Sequence, residues 1–329
     1  MTIHRRTFLS MCAAAAVTGG TAMPLVARAA NTQVKYGGSA WLGHYPAYLA
    51  MMHGYFKEVG IDQDFQSFGT SSARMGAVMS GDVDIACTGI VTALALMARG
   101  AKQFSIIGIH ESFGRVEGIL ARAGITSVKD LKGKKLGVTF ASSAHLLVLD
   151  VLAKAGLKAD DVVVLNVPAP ELPTAMQSGQ IDAAAAWTPQ FDAIRKLPGV
   201  TLLADDTQFS LYQSHKVTAG PDVLVVRKAF AEKNADVVKA YLKALFKANG
   251  LLRDQPDVAA QSLVKLTNLS VEDQLAVIKG TDWYTLAQQS ELLKGSYIDG
   301  LQKLAELLVV HKQIDKAPAV KDWIDTSFI

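Results

Sequence analysis

The chain has 329 residues, half of them hydrophobic and 19% charged. That length suits two ordinary globular domains, and the composition excludes a disordered chain. The formal charge of +3 falls to zero when residues 1–29 are set aside, since these carry Arg5, Arg6 and Arg28 and no acid. No basic face is left to argue for nucleic acid or an anionic membrane as partner.

The N-terminus reads as a cleaved leader over residues 1–29. Arg5-Arg6-Thr7-Phe8-Leu9 precedes a weakly apolar run, and Ala27-Arg28-Ala29 is a small-x-small cleavage site. Twin arginines with modest hydrophobicity predict export to the periplasm by the twin-arginine route. The apolar run is too short to span a bilayer. Beyond it the chain keeps one cysteine, Cys87, which has no internal disulfide partner and is expected to be buried.

The elements then alternate. Val34 to Gly37 is a first strand, and Pro46 opens a helix that ends at Gly54. A short turn over Tyr55–Phe56, a strand from Gln63 to Phe68, and a helix from Thr70-Ser71-Ser72 to Gly81 follow. Strands are predicted at Ile85–Cys87 and Phe104–Ile109, with a helix from Val91 to Arg99 between them. The stretch from Glu111 to Gly118 is a polar crossover. Strands at Ile119–Ala121, Lys135–Val138, Val162–Asn166, Ala183–Ala186 and Val200–Leu203 interleave with helices at 146–155 and 171–178. Asp222 to Arg227 is a strand returning to the first lobe. From Lys228 onward the chain is mostly helical. The helix from Val237 is expected to stop near Gly250, Ser270 and Asp273 resemble a capping box, and Tyr297–His311 is amphipathic. Alternation of this kind defines an α/β protein.

One phrase occurs twice. Ala77 to Ala86 reads AVMSGDVDIA, and Ala175 to Ala184 reads AMQSGQIDAA. Each is a helix end, a glycine suited to the left-handed position after a helix, and a short buried strand. Two similar α/β units follow, with a cleft between two lobes. Ligands of open parallel sheets sit beyond the carboxyl ends of the strands.

Two helix starts following strands are rich in hydroxyls, Thr70-Ser71-Ser72 and Ser142-Ser143. Helix first turns expose unpaired amides and a partial positive charge, so a pair of them can hold a compact anion, while each serine taken singly is an ordinary cap. Thr88 closes a strand beside them. Arg74 and Arg115 are available for charge-assisted bonds or for solvent. Trp41, His44, Tyr45, Trp187 and Trp283 stand in predicted loops, the first four as walls of a small-ligand pocket; Trp283 and Trp323 read as packing. Glu111, Glu117 and Asp222 are acids beside crossovers or strand ends, suited to a ligand amine or to a structural ion pair. The histidines show no metal-binding spacing, and no phosphate loop or dinucleotide fingerprint is present. A Cys87–His145 pair across the cleft is the one nucleophilic arrangement conceivable. No cofactor, metal or catalytic residue is expected.

Five blocks carry a resemblance: Trp41 to Asp62, Phe68 to Ile90, Leu131 to Leu157, Ser178 to Pro189, and Asp222 to Ala244. In this order they resemble the taurine/nitrate/aliphatic-sulfonate substrate-binding proteins of ABC importers, most closely the taurine binders. The resemblance implies a type II periplasmic binding protein fold, with two α/β lobes joined by a two-segment hinge. The lobes would comprise residues 30–112 with 222–329, and residues 113–221, and would close on a small ligand. It further implies a non-enzymatic, monomeric receptor that serves sulfonate transport and sulfur metabolism. Its partners would be a small anionic or zwitterionic ligand and the permease subunits, the latter its only link to the membrane. Carried over by motif, Ser71, Ser72, Ser142 and Ser143 would face a sulfonate. His145 follows in the same second-lobe loop, Trp187 stands in the WxP loop, and Asp222 would meet an amine. This chain has Ala-Ser-Ser-Ala-His where taurine binders carry Ser-Thr-Thr-His, and it carries His44-Tyr45. Another alkylsulfonate, a nitrate-like anion, a different zwitterion or a thiamine pyrimidine precursor therefore stay open as ligands. Related desulfinases use a cysteine in the first loop, and this chain has none between Val34 and Ile61.

Overall fold

The computed structural model describes residues 31–140 and 142–329. The expected leader, with Cys12 and the twin arginines, lies outside the described residues. The strands are β1 (Thr32–Gly38), β2 (Ile61–Ser67), β3 (Ile85–Gly89), β4 (Phe104–Gly108), β5 (Glu111–Phe113), β6 (Glu117–Ala121), β7 (Lys135–Val138), β8 (Val163–Asn166), β9 (Ala183–Trp187), β10 (Thr201–Asp205), β11 (Asp222–Arg227) and β12 (Thr281–Trp283). They form one sheet of order β2-β1-β3-β11-β4, a second of order β10-β6-β9-β7-β8, and a two-stranded ribbon, β12-β5.

The two large sheets match strand for strand. In each, a central strand (β3, β9) lies between a parallel neighbour (β1, β7) and an antiparallel one (β11, β6). The repeated phrase is the joint that builds each centre. Gly81 and Gly179 adopt left-handed φ of 93° and 77°, which glycine reaches without steric cost. The chain then turns into the sheet, and an aspartate fixes its register. Asp84 accepts from the Lys35 amide at 3.1 Å and donates its own amide to Lys35 O; Asp182 does the same with Lys135 at 2.9 Å. On the other side, the amides of Arg227 and Arg122 bond the carbonyls of Asp84 and Asp182.

The chain passes between the sheets twice, once through β5 and once over residues 206–221. The C-terminal helices pin the first passage. Gln289 brackets the Ile109 backbone through both its amide and carbonyl groups, and Asn249 donates to the carbonyls of His110 and Tyr284. Phe56 stacks on Tyr241 with ring centroids 4.5 Å apart, joining the helix Ala235–Asp254 to the first lobe. Each such buried apolar side chain contributes about 2 kcal/mol.

Three expectations are corrected. The helix expected to end near Gly250 runs on to Asp254, because Leu251 and Leu252 continue its buried face and Gln255-Pro256 supplies the stop. The polar stretch from Glu111 is partly strand, since its backbone finds partners in β12. Trp283 sits on that strand rather than in a loop, buried against Tyr45 with its indole N–H on Ile278 O. Trp323 packs near the C-terminus, its indole bonded to Ala101 O. No helix among the described residues is long and apolar enough to cross a membrane.

Candidate functional site

A cavity of about 450 Å³ lies where strand ends of both sheets meet, lined from both lobes. Nine of the residues singled out in the sequence line it: Trp41, Thr70, Ser71, Arg74, Glu117, Ser142, Ser143, Trp187 and Asp222.

The two helix starts are built as caps. Thr70 Oγ1 accepts from the Ala73 amide at 3.1 Å, and Ser142 Oγ accepts from the His145 amide at 3.2 Å. Other first-turn amides have no intrahelical acceptor. Ser142 Oγ also donates to Thr139 O at 2.6 Å, so its hydroxyl is largely committed to the fold.

Arg74 supplies the cation. It is 4% exposed. Its Nη1 donates to Cys87 O at 3.0 Å and to Ser71 Oγ at 3.4 Å, while Nε has no partner. Its stem lies over β1 at Gly37, where a Cβ would come within 2.8 Å of Arg74 Cγ. By the register of the repeat, Arg74 corresponds to Leu172, which approaches Gly137 in the same way in the other lobe. A buried guanidinium at a position that elsewhere needs only an apolar side chain is costly unless it serves a charge.

Two acids face it. Asp222 is 4% exposed, and its Oδ2 accepts from Trp41 Nε1 at 2.7 Å. Burial pushes its carboxyl up to about 7, with Glu111 adding to the rise and His110, the Trp41 bond and Arg74 opposing it. Glu117, 2% exposed, accepts from Ser143 Oγ at 2.6 Å through Oε2, and Oε1 has no partner. Burial raises Glu117 to about 7 as well, against the Ser143 bond and with a further push from Asp222. A cationic group placed between these two carboxyls would hold both as anions.

The other predicted site residues lie elsewhere. His44 is buried beneath the cavity, its Nδ1 3.0 Å from Tyr36 Oη, and burial holds its imidazole well below the usual range. Tyr45 lines a neighbouring apolar chamber of about 360 Å³, which shares Trp41 and Trp187 with the first. Ser72 and Arg115 are exposed, and neither lines the cavity. Thr88 is buried, with no partner for its hydroxyl. Glu111 is buried under the floor, where Oε2 is 2.6 Å from His110 Nε2; that nitrogen is also 2.6 Å from Gly43 O. His145 stacks on Phe140, with centroids 4.6 Å apart. Cys87 is fully buried, 3.8 Å from His110 Nε2 rather than beside His145, and burial raises its thiol well above the usual range. A protonated, enclosed thiol is a poor nucleophile. Among the described residues, no group of three or more His, Cys, Asp or Glu is placed to hold a metal ion.

The chain belongs to the NMT1/THI5-like family, whose model matches residues 41–259. It is 31% identical over 301 residues to the taurine-binding periplasmic protein of Escherichia coli K12, covering 89% of this chain and 90% of that one. Its fold is that of the periplasmic binding proteins. The periplasmic aliphatic sulphonate binding protein SsuA from Escherichia coli superposes with a TM-score of 0.76 at 22% identity, over 89% of this chain and 97% of that one. The alkanesulfonate-binding protein SsuA from Xanthomonas axonopodis pv. citri, bound to MOPS, gives a TM-score of 0.71 at 24% identity, over 91% and 99%. These three relatives are binding proteins.

Proposed function

We propose that this chain is the periplasmic substrate-binding component of an ABC importer and that it captures a small zwitterionic sulfonate such as taurine between its lobes. The observation that carries this reading is the charge layout of the cavity. Buried Arg74, the Ser71 helix start and Asp222 line it from the first lobe, and Glu117 with Ser143 from the second. A sulfonate is a tetrahedral anion that takes several donors at once, which suits a guanidinium beside first-turn amides. An ammonium one short carbon chain away matches the carboxyls. The resemblance of the chain to a taurine-binding protein over most of its length supports the same ligand class.

In this reading the lobes comprise residues 30–112 with 222–329, and residues 113–221. The two passages between them act as the hinge, and the closed monomer presents its ligand to the permease. The twin-arginine leader at residues 1–29 takes it to the periplasm. A second reading is favoured by the apolar chamber behind Trp41 and Trp187: a ligand with a longer tail, either an alkylsulfonate or a pyrimidine precursor.

A thermal-shift panel of sulfonates, amino acids, nitrate, sulfate and pyrimidines separates these readings. A ligand at 100 times its dissociation constant stabilises by about 2.7 kcal/mol. Taurine should give the largest shift. A shift with pyrimidines alone would overturn the proposal.

A further inference from the structure

Asp206 is fully buried, and neither carboxylate oxygen has a side-chain hydrogen-bond donor. It follows β10 directly, and the antiparallel register that pairs Asp205 with Gly118 brings it against Glu117. Glu117 in turn has one oxygen on Ser143 Oγ and the other, Oε1, buried without a partner. Two buried carboxyls side by side, each short of a donor, are satisfied together by one proton. Both ionised, they would repel in a low-dielectric site.

We propose that Asp206 is a positioning residue: it remains a neutral acid, donates its Oδ–H to Glu117 Oε1, and so fixes the Glu117 carboxyl in a rotamer open to a cationic group of the ligand, which on binding holds it as the anion. With Ser143 on one oxygen and Asp206 on the other, Glu117 is held from both sides, and its rotamer is set before ligand arrives. The charged and titratable neighbours agree with this assignment. Burial, then Glu117, then Asp205 push the Asp206 carboxyl well above its ordinary range. On the helix Ser210–His215 packed beside it, Tyr212 has its phenol raised, first by burial and then by Asp282, against the opposing charge of Arg115. On the cavity side of Glu117 the facing acid is Asp222, whose own rise is opposed by Arg74 of the other lobe. None of these side chains offers Asp206 a hydrogen bond, and the Glu117 amide is the one backbone group that opposes the rise, so the Glu117 carboxyl is its natural side-chain partner.

The inference rests on the reading of the cleft as a zwitterionic sulfonate site, and the test separates the two. Calorimetric titrations of the purified protein use taurine and ethanesulfonate, which share the sulfonate and differ in the amine. Asp206→Leu keeps the volume and removes the donor; Asp206→Asn keeps a donor and removes the ionisation. Losing a hydrogen bond to a charged group should weaken taurine about tenfold or more in Asp206→Leu, with ethanesulfonate changed less than about threefold. Asp206→Asn should retain the wild-type preference for taurine. An unchanged preference in Asp206→Leu, or an equal loss for both ligands in both variants, overturns the proposal. If Leu at 206 prevents folding, Asp206→Ala takes its place with the same two outcomes. Failure of the wild-type protein to bind either sulfonate would instead overturn the underlying function.

Discussion

Asp222 and Glu117 occupy the same position in the two lobes. Each opens the antiparallel strand beside the central one, and each stands five residues before an arginine (Arg227, Arg122) whose amide bonds the aspartate carbonyl of the repeated phrase. Both are buried and both line the cavity. The pseudo-symmetry of the fold therefore delivers one acid from each lobe to a shared point. Arg74 breaks that symmetry, because Leu172 is its counterpart. The outcome is a polar cavity to which each lobe contributes one acid and the first lobe alone a buried cation. On the proposed function, that asymmetry would orient a zwitterion in the cavity.

Gly43 makes room for this arrangement. A Cβ there would lie 2.0 Å from Asp222 Oδ2 and 3.1 Å from Cys87 Sγ. Gly43→Ala must push Asp222 off its bond to Trp41. Taurine affinity is expected to fall about tenfold or more, with a lower melting temperature from the overpacking. Calorimetry and thermal unfolding of the variant check both. Wild-type affinity would mean that the Asp222 position is irrelevant to binding.

Arg74→Leu copies the other lobe. It removes the buried cation while offering the apolar side chain that the equivalent site accepts. Stability should change little or rise, since a buried guanidinium exchanged for a packed leucine saves desolvation. Sulfonate affinity should drop at least about tenfold. Loss of folding together with retained affinity in the surviving fraction would argue that Arg74 is structural.

The pH dependence of stability has a definite sign. Burial raises Glu117 to about 7, above its unfolded value of about 4.3. The folded state therefore holds more protons between those two values. The contribution of Glu117 to stability is greatest below about pH 4, declines as pH rises through about 7, and is lost above it. Glu117→Gln removes that decline. Without ligand, the variant should match wild type near pH 4 and melt about 3 °C or more above it at pH 8. Equal offsets at both pH values would show that Glu117 is not strained by ionisation.

Cys87 should be inert. With its thiol buried and raised above the usual range, iodoacetamide should label the folded protein negligibly and the urea-unfolded protein fully. Rapid labelling in the folded state would revive an enzymatic reading.

Much of this was legible in the sequence. The repeated phrase located both central strands because glycine after a helix and an aspartate that fixes register are local devices with local signatures. The hydroxyl-rich helix starts were visible for the same reason. The matching pair of acids was not, because β6 (EGILA) and β11 (DVLVV) share only apolar character between their first residue and the following arginine. Arg74 and Arg115 are indistinguishable as letters. One points under a helix onto β1 and the other into solvent, a difference that depends on which helix face meets the sheet. Asp206 was silent, because its meaning lies in the cross-strand register with β6.

The most direct measurement is a crystal structure of the protein with taurine bound. The account predicts the sulfonate within hydrogen-bond distance of Arg74 and the first-turn amide groups at Ser71, with the ammonium between Asp222 and Glu117. Taurine bound in the reverse orientation, or outside the cavity between the lobes, would contradict it.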